Sequence, residues 1–114
     1  MVSIMAKTLQ FEYEGTEYTL EFTRRTVQEM ERNGFVADDI DTKPMTVLPM
    51  LFEGAFLAHH RWVKREKVQS IFDHMVHKDE LIGKLAEMYN DPIMALVEEP
   101  EETDSGKVDW TANW

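Results

Sequence analysis

The sequence predicts an α+β fold: an N-terminal antiparallel β-hairpin, about four α-helices and an acidic C-terminal tail. Three observations lead there. Apolar residues alternate through "TLQFEYEGTEYTLEF", helical spacing takes over from residue 24, and past residue 97 the pattern gives way to acids, Pro100 and Gly106. A chain of 114 residues has room for one modest core. That core is placed in a single domain at 1–97, with 98–114 as the tail.

The hairpin is read over 8–22. Leu9, Phe11 and Tyr13 share one face, Tyr18, Leu20 and Phe22 continue it, and Glu14-Gly15-Thr16 forms the turn. Two strands alone are marginal in water, so this face needs a helical cover. A first helix at 24–33 follows, with Thr23 as N-cap, Val27 and Met30 on its stripe, and Gly34 as its stop. "FVADDIDTKP" is a polar connection. The second helix is expected at 47–62, capped by Thr46 with Pro49 in its first turn. Its apolar residues, from Leu48 to Trp62, cover most of the circumference, which suits a central helix or an oligomer contact.

A third helix at 64–77 carries Val68, Ile71, Phe72 and Met75 at helical spacing. The fourth, at 80–97, has Asp79 as N-cap and a stripe of Leu81, Ile82, Leu85 and Met88. It is expected to break near residue 90, where Asp91-Pro92 restarts a short helix.

The formal charge of −10 repels nucleic-acid phosphates and anionic lipid, so protein partners are favoured over both. With no cysteine, disulfides, thiolate catalysis and cysteine–zinc sites are excluded. No secretory signal is visible at the N-terminus, and the longest apolar run, around Leu48–Ala58, is too short to span a bilayer. No marked nucleophile or glycine-rich phosphate loop appears, so the chain is read as neither enzyme nor cofactor binder.

The adjacent His59 and His60 point about 100° apart on a helix. They cannot grip one metal ion together, and are read as the place where a buried helix reaches water. The basic cluster "RWVKREK", Arg61 to Lys67, is either a nucleic-acid contact around Trp62 or a helix junction, and the acidic balance favours the junction. The candidate partner-binding residues are Val108, Trp110 and Trp114. They stand in a segment that cannot bury them locally, and tryptophan is enriched among interface hot spots. Docking of this tail onto its own domain is the competing reading.

The segments "KPMTVLPMLFEGAFLAHHRWVKRE" and "KDELIGKLAEMYNDPIMALVEE", with the leading hairpin, resemble a family of small proteins encoded among the tail genes of long-tailed, siphovirus-type phages and prophages of Gram-positive bacteria. The resemblance spans nearly the whole chain. It implies a tail assembly chaperone that binds the tape-measure protein, promotes assembly of the tail-tube protein around it, and works in the host cytoplasm, with homo-oligomers an option. Such chaperones are expected to be mainly helical, so the hairpin is a departure. It leaves room for a head–tail connector or tail-completion subunit retained in the virion. A third reading is an acidic decoy that mimics nucleic acid.

Overall fold

A computed structural model describes residues 7–98, 106 and 108–114. The fold is α+β, with an antiparallel two-stranded hairpin followed by four helices. Strands β1 (Leu9–Tyr13) and β2 (Thr16–Leu20) pair in the register Leu9↔Leu20, Phe11↔Tyr18 and Tyr13↔Thr16. Glu14 and Gly15 make the two-residue turn. Both have positive φ (51° and 79°), as a type I′ hairpin requires. The alternation sets the faces: Tyr18 and Leu20 are buried, Leu9, Phe11 and Tyr13 half-buried, and Gln10, Glu12 and Glu17 exposed.

Helix α1 (Arg24–Arg32) starts at Thr23, as expected. Thr23 Oγ1 accepts from the Thr26 N–H (3.1 Å) while Thr26 Oγ1 accepts from the Thr23 N–H (2.9 Å), so the two threonines cap each other. Gly34, at φ 94°, follows the Asn33 cap and ends the helix. A 3-10 turn at Ala37–Ile40 fills the polar connection.

Helix α2 (Pro44–Ala55) begins earlier and ends sooner than the predicted 47–62. Pro44, not Thr46, opens it, because a proline at the first helical position loses only an N–H that has no partner there. Pro49 therefore lies inside the helix rather than in its first turn. The early stop has a tertiary cause: the Ala55 carbonyl accepts from the Glu21 N–H (3.1 Å), beyond the end of β2. The chain then turns through 56–62, and Trp62, read as part of an apolar helix face, is 91% exposed.

Helix α3 (Arg65–His74) is three residues shorter at its end than the predicted 64–77, because Met75 is extended. Helix α4 (Lys78–Leu96) starts after His77, whose φ of 51° is left-handed; Asp79 is in the first turn and is not the cap. There its charge still favours the positive end of the helix dipole. The expected break near residue 90 is absent, and α4 runs through Pro92. Proline there removes the N–H that would meet the Met88 carbonyl, and the flanking turns hold the helix.

The core joins the inner hairpin face to all four helices. Leu20, Phe52, Ala55, Ile71 and Leu85 have no exposed surface. Phe52 sits at its centre, with ring centroids 5.2 Å from Phe56 and 4.9 Å from Phe72. Among the described residues no helix is long and apolar enough to cross a membrane.

Candidate functional site

His59 and His60 follow α2 and face β2. The Thr19 N–H donates to His60 Nε2 (2.9 Å), so this nitrogen is unprotonated and the ring is held neutral. The His60 ring also lies against Tyr18, 5.0 Å between centroids. Desolvation, and then the neighbouring His59, push the His60 pKa below its ordinary value. His59 Nε2 lies 2.6 Å from Glu21 Oε1. The two rings thus serve different partners, and with the Ala55 carbonyl they occupy the outer edge of β2. The sequence reading placed them at a helix end. It missed that they clasp the hairpin, a contact between residues about forty positions apart.

His74 Nδ1–H donates to the Ser70 carbonyl (2.7 Å), one helical turn back. Among the described residues no group of three or more His, Asp or Glu side chains is placed to hold a metal ion.

The cations of the basic cluster are largely matched by acids. Arg61 reaches Glu29 with both terminal nitrogens (2.7 and 3.1 Å), Arg65 Nε meets Glu53 (2.8 Å), and Lys67 lies 3.5 Å from Glu14. The Arg61 hydrogen bonds lower the Glu29 pKa. Lys64 makes no ion pair with a described residue. The cluster ties the α2–α3 junction to α1, α2 and the hairpin turn, and three of its four cations are engaged in those contacts.

Among the described residues of the domain, Val36, Trp62 and Val76 are exposed singly, and apolar surface gathers in two further places. A groove of about 340 Å³ runs between α2 and α3, floored by Leu48, Phe52, Val68 and Phe72, with Met45 at its mouth and 90% exposed. At the end of α4, Ile93, Met94, Leu96 and Val97 are 39–76% exposed. The sequence reading did not single these out. The signal was present at Ile93, Met94 and Val97, which fall off the stripe of Leu81, Leu85, Met88 and Tyr89 that α4 buries. Met45 follows Pro44 at the solvent end of α2, a place periodicity does not report.

The tail residues Val108, Trp110 and Trp114 are 84%, 77% and 102% exposed and have no regular structure. None joins the core cluster. The remainder of the predicted tail, 99–105 and 107, lies outside the described residues.

No curated protein and no solved structure matches the chain. The profile of the family described as Domain of unknown function (DUF5055) matches residues 5–114, a span that includes all three tail residues. The chain belongs to the DUF5055 family.

Proposed function

We propose that the protein acts by binding other proteins, as a phage tail assembly chaperone that holds the tape-measure protein and promotes assembly of the tail tube. The observation that carries the binding part is exposed apolar surface on an otherwise well-packed domain: Met45 over its groove, the end of α4, and Trp110 and Trp114. A groove with a methionine at its mouth suits apolar partners of varied shape, because thioether side chains repack easily. The net charge of −10 favours cationic clients and keeps the protein soluble. Pairing of the basic cluster with acids speaks against a nucleic-acid contact around Trp62.

The phage assignment rests on the resemblance of residues 43–66 and 78–99 to tail-region proteins, and places the work in the host cytoplasm. Co-expression with the tape-measure protein tests it: the pair should co-purify, and the tape-measure protein should stay soluble only in the presence of this chain. Mass spectrometry of purified virions separates the chaperone from a connector subunit, since the chaperone is absent from finished particles and a connector is present.

A further inference from the structure

The two edges of the hairpin are treated differently. In a two-residue hairpin the pair flanking the turn, Tyr13 and Thr16, is mutually hydrogen-bonded, and bonded pairs then alternate with non-bonded ones. The peptide groups of Glu17 and Thr19 on β2, and of Gln10 and Glu12 on β1, therefore point outward. On the β2 side, His60 takes the Thr19 N–H and Ala55 takes the Glu21 N–H, so that edge is blocked from Thr19 to Glu21 and only Glu17, beside the turn, is left without a partner among the described residues. On the β1 side, the outward groups of Gln10 and Glu12 have no partner among the described residues.

The side chains of β1 say what would fit beside it. On the core face Leu9, Phe11 and Tyr13 are only half-buried, whereas Tyr18 and Leu20 on β2 are buried. Tyr13 already meets α3 through Ser70 Oγ (3.4 Å) and the His74 ring (5.8 Å between centroids), so the apolar face of the sheet is unfinished at Leu9 and Phe11. On the outer face stand Gln10, Glu12 and Glu17, all exposed, with no cation paired to Glu12 or Glu17 among the described residues. A strand added next to β1 would set alternate residues against Leu9 and Phe11 and the others beside Gln10 and Glu12.

We infer that the open edge of β1 is a strand-addition site for an extended protein segment in which apolar residues alternate with lysine or arginine. Backbone hydrogen bonds to Gln10 and Glu12 supply the pairing, the half-buried Leu9 and Phe11 take the apolar side chains, and Glu12 selects for cations. The inference deepens the protein-binding reading above, on which it rests, by naming the chemistry of the client segment.

The test uses the full chain labelled with nitrogen-15 and a capped nonapeptide of alternating valine and lysine. Amide hydrogen exchange is followed by NMR. At saturating peptide, exchange at Gln10 and Glu12 slows by about tenfold or more, as for amides that gain a ladder hydrogen bond. A valine–glutamate peptide gives no protection. In Glu12→Lys, an exposed position, the valine–lysine peptide binds at least about fivefold more weakly.

Absence of protection at saturating valine–lysine peptide, or equal protection by the glutamate peptide, overturns the inference. Protection already present without peptide also overturns it: if it grows with protein concentration a second copy occupies the edge, and if it is independent of concentration the chain covers its own edge. Failure of the chaperone reading alone looks different: the tape-measure protein is not captured, yet the valine–lysine peptide still protects Gln10 and Glu12.

Discussion

At the residue scale, two glycines and one histidine make opposite demands. Gly54 is buried where α2 meets α1, and a Cβ there would fall on Sδ and Cε of Met30, itself buried. Gly83 on α4 is exposed and a Cβ there meets nothing. Gly83→Ala should therefore raise stability by about 0.5–1 kcal/mol, the usual helix-interior gain. Gly54→Ala should lower it by about 1–2 kcal/mol, because overpacking outweighs the same gain. Urea midpoints of the two variants check the contrast, and equal stabilisation would show a looser α1–α2 contact. For His60, the folded protein holds the ring neutral and its pKa lies below the ordinary 6.5, so the unfolded chain takes up the proton first. Stability is then full above about pH 6.5 and declines as pH falls below it. His60→Ala, which orphans the Thr19 N–H, should cost about 1–3 kcal/mol at neutral pH and remove this share of the acid sensitivity. Chemical denaturation across pH 5–8 measures both effects.

At the element scale, α2 carries the fold. Phe52 is fully buried between the rings of Phe56 and Phe72, so Phe52→Ala should cost about 3–5 kcal/mol in urea unfolding. A loss under about 1 kcal/mol would show that α2 is peripheral. The hairpin and the Thr23 cap were legible in the sequence, because period-two alternation, a Glu-Gly turn and a capping threonine are local signals, whereas Thr16, read as part of the turn, is the first residue of β2 and pairs with Tyr13. The end of α2 was not legible. Phe56 and Leu57 continue an apolar pattern, yet the chain leaves the helix because Ala55 and His60 hydrogen-bond to the edge of β2, a contact no window along the chain reports. Pro92 misled in the other direction: proline is a strong stop signal locally, and α4 continues through it. The candidate surfaces were half legible. Two tryptophans in an acidic segment advertise themselves, whereas the exposure of Met45 and the unfinished β1 edge follow only from which neighbours the fold supplies.

At the scale of the whole molecule, the packed part and the candidate binding parts separate. The core draws on residues from Tyr18 to Tyr89, and Val108, Trp110 and Trp114 add nothing to it. Truncation after Pro100 should leave the thermal midpoint within about 2 °C of the full chain, since none of the described residues beyond it joins the core. A drop of many degrees would make the tail part of the fold. The central claim is that exposed apolar side chains on an acidic domain hold a client protein. The most direct measurement is the affinity of the full chain and of Trp110→Ala/Trp114→Ala for the tape-measure protein, by fluorescence anisotropy or calorimetry. Removal of these two exposed tryptophans should weaken binding by about tenfold or more, with the urea midpoint unchanged. Undiminished affinity in the double variant, or no binding by either chain, would contradict the account.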